Sequence, residues 1–359
     1  MDRLAALRAC GQSIWLDSLT RALVRGGRLA RLVSEDGVSG VTTNPTIFQK
    51  AIHTDAAYAT DLSVLRRSQP DPDRRYEALV IPDVQAACDI LRPVFERTAG
   101  NDGYVSIDVA PRHAGDEETT VAEAHRLRKL VDRPNVLIKV PGTPAGERAF
   151  ERLVEAGVNV NVTLLFSLHH IVRVFEAYVR GLNRRLAAGK DVREAKCVAS
   201  LFLSRVDTAV DMALDRMDSD EARRLRGTAA VATARLAYQR YRDIFASAAF
   251  APLLAAGARP QTPLWASTGT KDPVYSDVKY VEALIGHDTI NTMPDAALAA
   301  FRDHGVAAET LEDGIRETEG QYVALEHLGI DLNRVGDALQ REGVRTFFDS
   351  YAALITAVS

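Results

Sequence analysis

The sequence predicts an α/β protein, a (β/α)8 TIM barrel with additional helices and a helical C-terminal tail. Short apolar segments alternate with longer amphipathic segments, the short segments number eight, and 359 residues is a length that one barrel with insertions can reach. Strict alternation favours a parallel sheet, and eight units favour a closed barrel. We expect residues 1–359 to form a single barrel domain, with 310–359 as a helical extension packed on it.

Each predicted strand is a short apolar run between turn residues. The eight runs are Ser13–Asp17, Gly40–Asn44, Tyr104–Val109, Val136–Val140, Val158–Leu165, Cys197–Leu203, Pro263–Ser267 and Thr289–Met293. Apolar residues at three- to four-residue spacing predict helices between them, as in "TVAEAHRLRKLV" and "IVRVFEAYVRGLNRRLAAG". The intervals Asn44–Asp108 and Leu203–Ser267 are each 64 residues, about twice the ~30 residues of a barrel unit, so both should hold extra helices.

Charge and cysteine usage exclude several kinds of partner. A net charge of −4 and a pI near 6.1 give no reason to expect a nucleic acid or an anionic membrane. The cysteines Cys10, Cys88 and Cys197 have neither disulfide nor metal-site spacing. The N-terminus lacks the apolar core of a signal peptide. We therefore expect a cytoplasmic protein, a monomer or homodimer, with no nucleic-acid or membrane partner.

The predicted strands carry polar residues on one face, although strands of a parallel sheet are usually apolar on both. In "VLIKV", alternation turns Lys139 away from the valines and the isoleucine, which should face the helices. The other inward polar residues are Asp17, Thr42, Asn44, Ser106, Asp108, Asn159, Asn161, Thr163 and Ser200. Many lie toward the C-terminal strand ends, where barrel active sites are built. A purely structural core would not collect them, since each unpaired buried group costs about 1–3 kcal/mol.

Alternation also places three large apolar residues. Leu164 should face the helices together with the valines of its strand. Trp265 should line the barrel, on the same face as Ser267. Phe202 should face inward, either as a wall of the pocket or as plain core.

Lys139 needs the most explanation, because lysine is among the residues least often fully buried. Burial disfavours the charged form of a lysine, and catalytic lysines typically titrate at about 7–8. A neutral lysine amine attacks a ketone and forms a Schiff base. A neighbouring C–C bond can then break while a carboxylate such as Asp17 or Asp108 removes a hydroxyl proton. The alternative is a lysine that reaches the barrel rim or pairs with an inward carboxylate for stability.

Seven motifs resemble the transaldolase family, in the family's order, across residues 13–300. They are "IWLDSL", "GVTTNPTIFQKAI", "VLIKVPGTPAG", "VNVNVTLLFS", "VASLFLSRVDT", "LWASTGTKDPVYSD" and "NTMPDAAL". The resemblance implies an enzyme of the pentose phosphate pathway that needs no metal or organic cofactor. Such an enzyme moves a dihydroxyacetone unit from sedoheptulose 7-phosphate or fructose 6-phosphate to erythrose 4-phosphate or glyceraldehyde 3-phosphate.

The resemblance also implies roles for individual residues. Lys139 matches the Schiff-base lysine, Asp17 the carboxylate that handles the C4 hydroxyl proton, and Thr163 the threonine that helps to hold the catalytic water. The matched substrate-binding positions are Asn44, Asn161 and Ser200 for the dihydroxyacetone portion, and Arg205, Ser267 and Lys271 for the phosphate.

Two positions in "VSIDVAPRHA" depart from the family pattern. Asp108 stands where the family more often has glutamate, and Ala110 where it has aspartate. Because aspartate is one methylene shorter, we expect Asp108 either to act through a bridging water or to transfer its proton more slowly.

Two other functions stay open at this point. One is a fructose-6-phosphate aldolase-like enzyme that releases free dihydroxyacetone. The other is an inactive sugar-phosphate binding protein, which the departures in "VSIDVAPRHA" suggest. The chain length and the carboxylates Asp17 and Asp108 favour transfer. The tail 310–359 has no recognised motif, and three places are open for it: the barrel bottom, the mouth or a dimer contact.

Overall fold

The computed structural model describes residues 2–359. Its strands are β1 (Gln12–Leu16), β2 (Gly40–Val41), β3 (Tyr104–Asp108), β4 (Val136–Pro141), β5 (Val160–Leu165), β6 (Cys197–Phe202), β7 (Thr262–Ala266) and β8 (Thr289–Met293). All eight pair in parallel in chain order, and β8 closes the barrel against β1. The predicted (β/α)8 fold is confirmed. The second strand ends at Val41 rather than Asn44, because Asn44 caps the helix that follows.

Helices surround the barrel. They are α1 (Arg3–Ala9), α2 (Arg21–Arg25), α3 (Arg28–Ser34), α4 (Pro45–Thr54), α5 (Ala56–Ser68), α6 (Pro72–Arg97), α7 (Glu117–Val131), α8 (Pro144–Glu155), α9 (Leu168–Ala187), α10 (Ser204–Leu214), α11 (Asp220–Leu225), α12 (Ala229–Phe245), α13 (Ala251–Ala255), α14 (Lys279–Glu282), α15 (Asp295–His304), α16 (Ile315–His327) and α17 (Leu332–Val358). Both long intervals hold extra helices, as predicted: α4 to α6 in the first and α10 to α13 in the second. No helix within residues 2–359 is long and apolar enough to cross a membrane.

The two faces of the strands pack against different groups of apolar residues. The outward side chains join the apolar sides of the helices in one large core. The inward apolar side chains form a smaller cluster inside the barrel: Trp15, Tyr104, Leu137, Val198, Leu264, Ala266 and Ile290. Several of these lie two residues before an inward polar residue; Leu137 precedes Lys139 in this way. The barrel therefore has an apolar plug, with a polar mouth at the C-terminal ends of the strands.

The C-terminal tail ends in the long helix α17. The Asp331 carboxylate caps its first turn by accepting hydrogen bonds from the Asn333 and Arg334 amides. At the other end, the Arg75 guanidinium donates to the Val358 carbonyl at 2.7 Å. Between these ends, α17 packs along α4 and also contacts α6, α10 and β5. The helix thus lies across the side of the barrel where the strands end.

Candidate active site

The C-terminal ends of the strands open into a cavity of about 450 Å³, within the usual ~300–1,000 Å³ of ligand sites. Nine of the ten predicted site residues line it: Asp17, Asn44, Asp108, Lys139, Thr163, Ser200, Arg205, Ser267 and Lys271. The tenth, Asn161, has no exposed area and lies beneath the cavity surface, beside Lys139 in the strand register. Its amide donates to the Ser106 hydroxyl at 3.1 Å and accepts from the Ser200 hydroxyl at 2.7 Å.

Lys139 reaches the cavity from inside the barrel, with 8% of its surface exposed. Its Nζ donates to the Thr43 carbonyl at 2.7 Å and lies 3.4 Å from Asp108 Oδ1. A lysine nitrogen has three bonding directions besides its own stem. Two point at protein acceptors, so the third is available toward the cavity. Asp108 contacts Lys139 directly in spite of its shorter side chain, so this contact needs no bridging water.

Two carboxylates flank the lysine, and burial raises the pKa of each. Burial raises the pKa of Asp17, while the Lys139 charge and a 2.8 Å hydrogen bond from the Thr42 hydroxyl oppose the rise. Burial also raises the pKa of Asp108, against the attraction of Lys139 and the hydrogen bond from Thr43. Carboxyl groups shifted in this direction can hold and return a proton closer to neutral pH.

Two neighbouring threonines, Thr42 and Thr43, both reach these carboxylates. Strand alternation identified Thr42 as inward-facing but not Thr43. The Thr43 hydroxyl lies 3.0 Å from Asp108 Oδ2, and its carbonyl accepts from Lys139. Both contacts are possible because β2 ends at Val41, beyond which the alternation rule does not apply. The signal in the sequence that could have identified Thr43 was the pair of threonines directly after a strand.

The end of β5 departs from regular strand geometry. Leu164 has a φ of +60°, and the pairing of β5 with β6 shifts register between Val162 and Leu165. Positive φ is strained for a bulky residue, and such strain clusters at functional sites. Leu164 consequently lines the cavity while its side chain also packs in the outer core, close to Gly343 of α17.

The preceding residue, Thr163, contributes an unsatisfied hydroxyl. Its Oγ1 is buried at the cavity wall and has no hydrogen-bond partner among residues 2–359. Buried hydroxyl groups normally have a partner, from protein or from ordered water. A hydrogen-bond partner for the Thr163 hydroxyl must therefore come from within the cavity.

The cavity wall also carries unpaired cations. Arg205, at the start of α10, and Lys271 both line the cavity, and neither pairs with a carboxylate in the part of the chain that the structure describes. Ser267 also lines the cavity, with its hydroxyl 2.8 Å from that of Ser204. Two cations, hydroxyl groups and the N-terminus of a helix together favour an anionic ligand group.

Ser267 reaches this wall through irregular backbone, with a φ of +55°. This backbone conformation breaks the strand alternation after β7. Ser267, which lines the cavity, and Trp265 therefore do not point to the same face of the sheet. Trp265 belongs to the outer core and pairs in register with Leu201, which faces the helices. The prediction that Trp265 lines the barrel is wrong. Phe202 does line the cavity.

Helices α4 and α17 complete the cavity wall, and the sequence motifs do not account for the part that α17 supplies. From α4 and its cap come Asn44, Ile47 and Lys50; from α17 come Gly343, Thr346, Phe347 and Ser350. The Asn44 side chain accepts from the Ile47 amide and thereby begins α4. A hydrogen bond of 3.0 Å between the hydroxyls of Thr46 and Ser350 joins the two helices. Of the three places open for the tail, α17 occupies the mouth.

The chain matches a family described as transaldolase/fructose-6-phosphate aldolase over residues 14–358. A protein named transaldolase from Thiobacillus denitrificans is 58% identical, over 97% of this chain and 97% of its own length. A transaldolase from Neisseria gonorrhoeae is 44% identical, over 99% of both chains. A protein named transaldolase 1 from Streptomyces avermitilis is 45% identical, over 100% of this chain and 95% of its own length.

Proposed function

We propose that Lys139 carries the covalent intermediate of this enzyme, because the chain belongs to the transaldolase/fructose-6-phosphate aldolase family and catalyses the transaldolase reaction. The observation that carries the proposal is the position of the Lys139 nitrogen. It lies in contact with a carboxylate, inside a cavity that unpaired cations also line. A nucleophile, acid/base groups and an anion site are therefore within one small space.

The reaction begins at C2 of a ketose phosphate, either sedoheptulose 7-phosphate or fructose 6-phosphate. The Lys139 amine attacks this carbonyl carbon, and the oxygen leaves as water, which gives a Schiff base. The protonated Schiff base draws electrons from the C3–C4 bond when Asp17 takes the proton of the C4 hydroxyl. An aldose phosphate leaves, and a three-carbon enamine stays on Lys139. Attack of the enamine on the acceptor aldehyde, followed by hydrolysis of the imine, completes the transfer.

The other groups around Lys139 serve the proton and water steps. Asp108 contacts the amine and exchanges protons with it. The unpaired Thr163 hydroxyl binds the water that leaves and later returns. Asn44 and Ser200 line the cavity near Lys139 and orient the dihydroxyacetone hydroxyls. Asn161 acts through Ser200, since its amide oxygen accepts the Ser200 hydroxyl hydrogen.

The phosphate of either sugar binds at the part of the cavity wall formed by Arg205, Ser267 and Lys271 (the phosphate wall). Arg205 offers a planar, permanently charged donor set that suits phosphate oxygens, and Lys271 adds a second charge. Ser267 and the first amides of α10 provide neutral donors at the same place. Because the phosphate is remote from the ketone, its binding holds the sugar chain extended toward Lys139.

The partners in this proposal are phosphorylated ketoses and aldoses, and the enzyme works in the cytoplasm as a monomer or homodimer. The cysteines support a reducing compartment, since all three are free thiols. Burial raises the pKa of both Cys88 and Cys197 to about 12, so neither is a reactive thiolate.

The proposal is tested by trapping with fructose 6-phosphate and borohydride, followed by peptide mass spectrometry. We expect one three-carbon adduct, on Lys139; its absence would exclude the covalent mechanism and favour a sugar-phosphate binding protein. Product assays with and without erythrose 4-phosphate complete the test. Sustained release of dihydroxyacetone without an acceptor would indicate an aldolase instead. Unphosphorylated fructose is the matched donor, and it should react far more slowly because Arg205 and Lys271 then have no ligand.

A further inference from the structure

We infer that Gln340 of the C-terminal helix is a positioning residue that holds Thr163 in its catalytic orientation, an inference that rests on the role proposed above for Thr163. Gln340 is 8% exposed, and its amide nitrogen has two hydrogens. One is donated to the Gly142 carbonyl at 2.8 Å and the other to the Leu164 carbonyl at 3.0 Å. One side chain therefore joins the ends of β4 and β5.

The two carbonyls that Gln340 binds lie on either side of Thr163. Gly142 follows Lys139 by three residues, and its amide donates to the Thr163 carbonyl at 2.7 Å. Leu164 is the next residue after Thr163 and has the strained φ of +60°. Gln340 thus fixes both the strand end that is bonded to Thr163 and the strained peptide that follows it. Without these hydrogen bonds, fewer contacts would hold Leu164 in its strained left-handed conformation.

Two glycines allow α17 to approach closely enough for this contact. A Cβ added at Gly336 would lie 2.7 Å from the Ser167 Cβ, and one added at Gly343 would lie 3.2 Å from the Leu164 Cδ2. Gly336, Gln340 and Gly343 follow four- and three-residue spacing, so they share one face of the helix. This face rests directly on the end of β5.

A hydrogen bond beside Gly336 fixes the same face of α17. His170 Nε2 lies 2.9 Å from the Asp337 carboxylate. The amide of Gln340 is therefore presented by a helix with a defined position rather than by a mobile tail.

The inference predicts that Gln340 affects turnover through Thr163. The variant Gln340→Met keeps the length of the side chain but removes both donors. We expect its kcat to fall about tenfold or more, because small misplacements of a catalytic group can cost up to ~10²-fold. The KM for fructose 6-phosphate should change little, since the phosphate wall is untouched. Each kcat is expressed per active site, and active sites are counted as the amount of borohydride adduct formed when the trapping reaction is complete.

A double-mutant cycle with Thr163→Val separates positioning from a purely structural effect. If Gln340 acts through Thr163, the double variant has the same kcat as Thr163→Val alone. The control is Gln321→Met on α16, where the glutamine donates to Glu317 on the same helix; its kcat should equal that of the wild type. Gln340→Leu provides a second variant of similar volume without the donors, in case the methionine variant does not fold.

Each outcome has a distinct meaning. The inference about Gln340 is overturned if the kcat losses of the two single variants multiply in the double variant, or if both Gln340 variants keep the wild-type kcat. In either case the proposed function still stands, provided that the Lys139 adduct forms and Thr163→Val is slow. A wild-type kcat for Thr163→Val overturns the role of Thr163 and the inference together. Absence of the Lys139 adduct from the wild-type enzyme removes the covalent mechanism itself.

Discussion

Two lysines are buried at opposite ends of the barrel, and only one of them is placed for chemistry. Lys139 near the C-terminal end of β4 is 8% exposed, and Lys196 just before β6 is 4% exposed. Lys196 Nζ donates to the Asn101 side chain at 3.1 Å and to the Thr262 hydroxyl at 2.9 Å. Lys139 instead contacts a carbonyl and a carboxylate, and it faces the cavity.

The comparison shows that burial alone does not make a lysine a catalytic nucleophile. Burial lowers the pKa of Lys196 to about 8, in the range that suits a catalytic amine. Its acceptors are nevertheless neutral side chains. A nucleophilic lysine needs a substrate space and groups that move protons, and only Lys139 has both.

Replacement of each lysine by methionine, in separate variants, tests the comparison most strongly. Lys139→Met should lower kcat by at least about 10⁴-fold, because it removes the proposed nucleophile, on which every later step of the proposed reaction depends. Lys196→Met should retain most of the kcat per folded molecule and still form the borohydride adduct on Lys139. Steady-state rates and peptide mass spectrometry of both variants provide the measurement. An adduct on Lys196 in the Lys139→Met protein would contradict the comparison.

The carboxylates near each lysine provide the next test. Asp17→Asn should lower kcat by about 10²–10⁴-fold, the usual contribution of general acid–base catalysis. Asp102→Asn is the matched change beside Lys196, where Asp102 accepts from the Ser13 hydroxyl and the Trp15 indole. It should lower the melting temperature but not the kcat per titrated site. Equal kcat values for the two variants would show that Asp17 only supports the fold.

Strand periodicity predicted the barrel and the inward position of Lys139, Asp17, Asp108 and Thr163, because regular strands fix the direction of each side chain. It failed for Trp265, because positive φ at Ser267 breaks the alternation between these two residues. It also did not predict that Leu164, at a second positive φ, lines the cavity while it packs in the outer core. No local pattern in the sequence specifies such strained conformations, which the surrounding structure imposes.

The place of α17 could not be predicted for a different reason. Its amphipathic pattern indicates a helix with one buried face, but the partner of that face is set by packing between distant parts of the chain. Gln340 bonds to residues 198 and 176 positions away in the sequence. The motifs therefore predicted residues of the floor of the cavity and its cations but not the helix that covers it.

The smallest expected effect concerns the stability contributed by Lys196. Its pKa is about 8 in the folded protein, against 10.5 as the ordinary value. Between these values the unfolded chain binds more protons, so the free energy of unfolding rises with pH.

Relative to Lys196→Met, the wild type should gain about 1–2 kcal/mol in the free energy of unfolding between pH 8 and 10, at a limiting slope of ~1.4 kcal/mol per pH unit. Urea unfolding of both proteins across this range measures the difference. The buried thiols Cys88 and Cys197 oppose the rise in both proteins; the contribution of Cys88 cancels, whereas that of Cys197, which interacts with Lys196, cancels only in part. Parallel pH profiles would show that Lys196 keeps its proton, whereas diverging profiles would identify a strongly perturbed lysine at the end of the barrel where no reaction takes place.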